Sequence, residues 1–419
     1  MSRRSAVAAL AAAAAGTACG IGRRSDASLD ALAEHYVRAA LALAQHQPTL
    51  VEAWHGPDAW RPGPREPVAQ IRHRLDDAHR AANAVLASGS GDPRARYLHQ
   101  QVGALVLACR RLAGEALTFD DEAALAFGAP VVGVLTALAS EARQASWHEA
   151  RLAVEWLLPG RSVLQERYAA FRARHVIPAD RVAAAVEAAS SACRRRLAAH
   201  LALPPGESVR TGTSATLGVE GQATYEGALR TSVFVEQASR LDLARLVWLV
   251  AHETYPGHHV QHVLADSELV QRLGWQERAL HPSFGGHLLF AEGAAEAGAA
   301  LLLAGDVFAD VCREVAESAA IAAGHVAELV AVQRAVIELD LHVARVARAY
   351  LDGGLSRHAA AEQLTTSALI LDAERLLLVI ERQRTRVLVY PAGRRIVFDH
   401  LKSGNPWDRL KSVATLLVL

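Results

Sequence analysis

Four histidines and a glutamate crowd into the eleven positions from His252 to His262. An apolar run with helical spacing, Leu243, Leu246, Val247 and Val250, leads directly into them. Neutral imidazole and carboxylate are ordinary ligands of Zn²⁺, and a carboxylate beside such an ion activates its water. A His-Glu pair closing an apolar helix is how helix-borne zinc hydrolases present a first ligand and a base. His252 is thus a candidate metal ligand and Glu253 a candidate general base.

The spacing departs from the common arrangement, in which a second histidine follows four positions after the first. That position is Pro256. His258 and His259 come six and seven residues after His252, and in a straight helix the seventh lies about 10.5 Å further along the axis. Two atoms bound to one zinc ion at roughly 2.0–2.1 Å each cannot be so far apart. Pro256 removes a backbone donor and clashes with the carbonyl of His252, and Gly257 relaxes the chain beside it, so a bend is expected here. Looping out two residues brings His258 into the place of the second ligand. His259 is then a partner for the substrate or the transition state. The reverse assignment, His259 as ligand, fits the same spacing.

A third ligand has to come from elsewhere. The segment Ala291-Glu292-Gly293-Ala294-Ala295-Glu296-Ala297 places two carboxylates four residues apart in an otherwise small and apolar helix. Burying them is costly unless they are paired or metal-bound. Glu292 is the candidate ligand, and Glu296 the candidate partner that orients a ligand histidine.

The run His252-Glu253-Thr254-Tyr255-Pro256-Gly257-His258-His259-Val260-Gln261, followed about thirty residues on by Glu292-Gly293-Ala294-Ala295, resembles the DUF885 family of bacterial proteins. A weaker likeness covers Pro48 to Pro57 and Tyr225 to Phe234. The resemblance implies a gluzincin-like zinc peptidase with a large multi-helix, zincin-like fold. Carried over, His252, His258 or His259, and Glu292 hold the metal, and Glu253 is the general base. Where the family has a Pro-Gly-Gln-Ala motif followed by Tyr and Lys, this chain reads Tyr390-Pro391-Ala392-Gly393-Arg394-Arg395-Ile396. Tyr390 and His259 are the candidates for stabilising an oxyanion, and Arg394 for holding a substrate carboxylate. The expected function is zinc-dependent hydrolysis of a peptide or small amide, carboxypeptidase-like or as an oligopeptidase. The alternatives are a metal-dependent hydrolase of a non-peptide amide or ester, and a non-enzymatic envelope protein with a degenerate site.

The elements that must position these residues are mostly helices. Of 419 residues, 51% are hydrophobic and only 5% aromatic, and strong helix formers dominate. A mainly α fold with a small β element before the active-site helix is expected. Residues 1–25 form a signal-like or flexible segment, 26–206 an N-terminal helical half, and 207–419 a metal-site half continuous with it. Helices are expected near 28–47, 68–86, 94–117, 122–127, 131–158, 162–174, 179–203, 241–264, 287–304, 307–350, 356–370 and 372–386. Pro48 to Pro67 read as an irregular connector, and Ser88-Gly89-Ser90-Gly91-Asp92-Pro93 as a turn. The β-branched segment Thr231 to Val235 reads as a strand, and Val233 to Val235 as an edge on which an extended peptide could pair.

Forty-four basic residues balance 44 acidic ones, which argues against nucleic-acid binding. Cys109, Cys193 and Cys312 sit in apolar patterns and read as core residues. Arg3 and Arg4 precede an apolar run from Ala6 to Ala15 and then Thr17-Ala18-Cys19. This has the layout of an export signal, with Cys19 placed to carry a lipid, so a cell-envelope location is favoured over a cytoplasmic one. The remaining histidines, among them His281, His287, His325, His342 and His358, read as surface or core residues.

Overall fold

The computed structural model describes residues 27–87, 91–138, 141–217 and 219–419. The signal-like segment with Cys19, and the expected turn at Ser88-Gly89-Ser90, lie outside the described residues. The protein is mainly α-helical, with a few short strands.

Helices α1 (Ala27–Ala44), α2 (Val68–Ala87) and α3 (Pro93–Leu112) pack on one another. They bury Leu29, Tyr36, Leu43, Ile71, Leu75, Leu98 and Leu105. Helix α3 begins where Asp92 accepts a hydrogen bond from Arg94 N and Pro93 fills the first turn, where its missing N–H costs nothing. Strand β1 (Val51–Trp54) emerges from what reads in sequence as an irregular connector. It pairs antiparallel with β5 (Leu280–Pro282), far along the chain. Helices α4 (Phe119–Phe127), α5 (Ala129–Leu138), α6 (Glu141–Leu157), α7 (Leu164–Arg174) and α8 (Val182–Leu197) complete the first half.

The small β element is a three-stranded sheet in the order β2 (Ser208–Ser214), β4 (Arg230–Glu236), β3 (Gly221–Gly227). Strand β4 is parallel to β2 and antiparallel to β3, so both of its edges are taken. Peptide pairing on Val233 to Val235 is therefore ruled out; within this sheet the free edges belong to β2 and β3.

The expected helix over 241–264 is two: α9 (Leu243–Glu253) and α10 (His258–Leu264). Helix α11 (Gly285–Leu302) follows. The expected helix over 307–350 is three: α12 (Val307–Val315), α13 (Val326–Ile337) and α14 (Asp340–Leu351). A turn at Ala320 with φ of 53° interrupts it, and Gly324 lies between that turn and the next helix. After α15 (Arg357–Thr366) and α16 (Ala373–Gln383) come two helices not anticipated from the sequence, α17 (Val389–Leu401) and α18 (Pro406–Leu416). Pro391 lies in the first turn of α17, where proline is tolerated.

Hydrophobic packing runs across residue 206. One core joins Phe171, Val186 and Cys193 to Leu246, Val250, Phe308 and Leu329. Another seats Leu280, Phe284 and Val418 among α1 to α3. Cys109, Cys193 and Cys312 are buried within this packing as free thiols. No single described helix is long and apolar enough to cross a membrane, and α11 passes such a test only jointly with α12, from which it is bent by 88°.

Candidate metal centre

Helix α9 starts on Asp242, whose side chain accepts from Arg245 N at 2.9 Å. Its apolar face, Leu243, Leu246, Val247 and Val250, is fully buried, which carries His252 and Glu253 into the interior. There the helix stops. Thr254 turns away, with both its N–H and its hydroxyl on the Val250 carbonyl, and a cis peptide bond joins Tyr255 to Pro256. Gly257 N then returns to the Ala251 carbonyl at 3.2 Å, and α10 begins. The return is so tight that a Cβ on Gly257 would lie 1.6 Å from the carbonyl oxygen of His252. The expected bend is thus a full break, and it brings the sixth residue after His252 alongside it.

The imidazole rings of His252 and His258 stand edge to face, 4.8 Å apart. Nε2 of His252 lies 3.2 Å from Oε2 of Glu292, and Nε2 of His258 lies 3.3 Å from the same oxygen. Two ligands roughly 2.0–2.1 Å from one ion at a near-tetrahedral angle are about 3.3–3.4 Å apart, which matches both histidine–Glu292 separations, and the three donor atoms all lie within 4.8 Å of one another. The opposite nitrogens are held as ligand imidazoles usually are. Nδ1 of His258 donates to Oε1 of Gln261 at 3.3 Å, and Gln261 Nε2 in turn donates to the Ala291 carbonyl at 2.8 Å. Nδ1 of His252 approaches Oε1 of Glu296 at 2.9 Å, off the angle of a good hydrogen bond. Trp248 Nε1 donates to Glu296 Oε2 at 3.3 Å.

The charges in this pocket are mutually adjusted. Burial alone would raise Glu292, but His258 and His252 hold it well below the ordinary carboxylate range. Burial would keep His252 neutral, but Glu292 and Glu296 raise it well above its usual value. Glu253 goes the other way: burial raises it, and the two histidines only partly offset that. The backbone N–H of Ala223, on β3, also lowers it, so that strand borders the site. Tyr390, on the first turn of α17, lies with its ring 6.2 Å from that of His252 and is 42% exposed. The negative charge of Glu292 and then burial push its phenol far up, which keeps it a proton donor.

Glu292 and Tyr390 are brought together by a contact between glycines. A Cβ on Gly293 would lie 2.5 Å from the backbone of Gly393, and one on Gly393 would lie 2.5 Å from the Leu289 carbonyl oxygen. Helices α11 and α17 therefore meet backbone to backbone. Gly298 similarly admits the ring of Pro256, which a Cβ there would approach to 2.9 Å.

The structure thus gathers His252, His258, Glu292, Glu296, Glu253 and Tyr390 in one place. It does not bring His259 there. That ring is fully buried on the other face of α10, where Nε2 donates to Oε2 of Glu207 at 2.7 Å and Nδ1 accepts from the Thr231 hydroxyl at 2.8 Å. Consecutive residues of a helix point about 100° apart, so a histidine pair cannot face one ion together. His259 is corrected from an oxyanion partner or alternative ligand to a strut between α10 and the sheet. Arg394 is also corrected. It is 8% exposed and donates to the Ile337 carbonyl at 2.9 Å, so it is not presented to a substrate carboxylate.

Two contributors were missed in the sequence. Gln261 lies three residues after His258, a spacing that marks a same-face partner. Glu207 carries no such signal. It sits 52 residues before His259 and also takes hydrogen bonds from Tyr255 at 2.8 Å and Arg194 at 2.6 Å.

No family model matches this chain, and no curated protein matches it. Among solved structures, its fold is similar to that of a putative lipoprotein from Colwellia psychrerythraea, with a TM-score of 0.50 and 14% identity over 86% of this chain and 68% of that one. A putative lipoprotein of unknown function from Shewanella oneidensis aligns at a TM-score of 0.47 and 14% identity, over 86% of this chain and 67% of that one.

Proposed function

We propose that this chain is a zinc-dependent hydrolase of amide bonds, acting on peptides or small amides. The observation that carries the reading is the convergence of His252 Nε2, His258 Nε2 and Glu292 Oε2, with the opposite nitrogen of each histidine directed at a supporting acceptor. The resemblance to the DUF885 motif supports it. Zinc held by these three residues would polarise a water and lower its pKa towards neutrality. Glu253, adjacent to His252 and kept less acidic by burial, is suited to take a proton from that water and return it to the leaving amine. Tyr390, held protonated, is suited to donate to the developing oxyanion. An extended substrate is best accommodated along β3, whose outer edge borders Glu253.

The experiment is a pair of substitutions read for both metal content and amide hydrolysis. Glu253→Gln should retain zinc and lose turnover by about 10²–10⁴-fold, the usual range for a lost general base. Glu292→Gln should weaken zinc binding, and excess zinc should partly restore its activity. Loss of metal in Glu253→Gln with full occupancy in Glu292→Gln would overturn the assignment of roles.

The same reading includes export. The basic, apolar and small-residue succession ending at Cys19 supports a lipid anchor at that cysteine and a place in the cell envelope.

A further inference from the structure

A second group of metal-ligating side chains lies apart from the first. His175 ends α7, His325 is the N-cap residue of α13, and Glu328 follows three residues later on the same helix. One ligand atom from each comes within 4.8 Å of the others. Two segments 150 positions apart in sequence thus present two imidazoles and a carboxylate to a common point.

His175 is 6% exposed. Its ring contacts are Phe171, with centroids 4.9 Å apart, and His325, 4.8 Å away in an edge-to-face arrangement. Burial and then the neighbouring His325 hold it below its ordinary pKa, so it stays in the neutral form that binds metals.

The place is mechanically relevant. Immediately after His175, Val176 bridges to Asp242, and Ile177 N donates to the Leu241 carbonyl at 2.9 Å. Asp242 caps α9 and is also paired with Arg172 of α7 at 2.7 Å. The cluster therefore braces the start of the helix whose far end, about 16 Å away along an eleven-residue helix, carries His252.

We propose that His175, His325 and Glu328 form a second, structural Zn²⁺ site that ties the end of α7 to the start of α13, with water as the fourth ligand. Drawing the donors in to the roughly 3.3–3.4 Å separation of zinc ligands takes side-chain rotation of His325 and Glu328 about the fixed His175. The site needs neither the hydrolase reading nor the first metal.

The test uses tag-free protein stripped with a chelator and titrated with Co²⁺ and Zn²⁺. Wild type should bind two equivalents. His252→Ala should still bind one, with a Tm that rises on adding zinc, and His175→Ala should also bind one. The His252→Ala/His175→Ala double variant should bind none and show no zinc-dependent rise in Tm. His325→Ala replaces His175→Ala in the same scheme should the latter fail to fold. A His252→Ala protein that binds no metal overturns this proposal while leaving the first site standing. An equivalent that survives both His175→Ala and His325→Ala in the His252→Ala background also overturns it. Loss of one equivalent in His175→Ala, with His252→Ala indistinguishable from wild type, upholds this site and overturns the catalytic one.

Discussion

Replacing Gly257 by alanine adds a single methyl group at the point on which the proposed metal centre turns. The added Cβ would sit 1.6 Å from the oxygen and 2.3 Å from the carbon of the His252 carbonyl, and 2.9 Å from the Ala251 oxygen. These are backbone atoms, so no side-chain rotation relieves the clash. Bringing the closest contact out to 3.0 Å displaces the start of α10 by about 1.4 Å. His258 is the next residue and moves with it. Metal–ligand distances tolerate only about ±0.2 Å, so a shift several times larger removes His258 from the coordination sphere. Loss of a mere supporting partner typically costs 10–100-fold in metal affinity, and loss of a ligand should exceed about 10²-fold. The strain should also cost about 2–4 kcal/mol of stability, in the range of severe backbone and packing defects. Zinc affinity measured by competition with a chromophoric chelator, beside urea unfolding, reads both effects. Gly63→Ala, where nothing lies within 4 Å of the new Cβ, is the control. If Gly257→Ala binds zinc as wild type does, with unchanged stability, the chain does not pass His252 in this way and the pairing of His252 with His258 fails.

Glu207 gives a pH dependence with a definite sign. Burial would raise its pKa, but hydrogen bonds from His259, Tyr255 and Arg194 bring it from 4.5 down to about 2. A depressed carboxylate stabilises fully above its unfolded pKa, so this contribution, about 3 kcal/mol at roughly 1.4 kcal/mol per unit, should be lost as pH falls from 4.5 towards 2. Urea unfolding of wild type and Glu207→Gln should show a gap at pH 7 that narrows through that window; a gap independent of pH would refute the assignment. Arg94, 5% exposed, donates to the fully buried Glu277 at 2.7 and 3.0 Å and to Asp30 at 2.6 Å. Arg94→Ala strands that carboxylate and should destabilise the protein by about 3–5 kcal/mol, whereas Arg38→Ala, in an exposed pair with Glu34, should cost less than about 1 kcal/mol.

The clustering of His252, Glu253, His258 and Glu292 was legible because carboxylates and imidazoles are rare in apolar helical stretches, and each carries its own phase. The choice between His258 and His259 was not legible, since it depends on how many residues the break absorbs. That number is set by the return of Gly257 to the Ala251 carbonyl, a contact between backbone atoms. Glu207 was invisible for a different reason: its partners come from elements that meet only in the folded chain, and an isolated glutamate before a strand looks like any surface residue. The helix from Val389 was hidden by Pro391 and Gly393, which suggest a loop when read singly. Gly393 is there because α11 leaves no room for a Cβ, a packing demand that local propensity does not report. The three helices between 307 and 351 merged into one because both breaks are closed by local backbone hydrogen bonds, Ile321 N to the Ala316 carbonyl and Leu339 N to the Val336 carbonyl, at residues that do not by themselves exclude a helix.

The meeting of Gly293 with Gly393 also decides which side of the candidate site can yield. Two backbones already in contact cannot be pressed closer, and parting them would open a void with no side chain at hand to fill it. The span from Glu292 to Tyr390 is therefore a fixed gauge. Under the proposed function, room for substrates of different girth would come from the side of β3, which is held by a three-stranded sheet and a two-residue hairpin turn at Ala228 and Leu229. Variation in what such a site accepts would then accumulate in that hairpin, while the helix crossing stays unchanged.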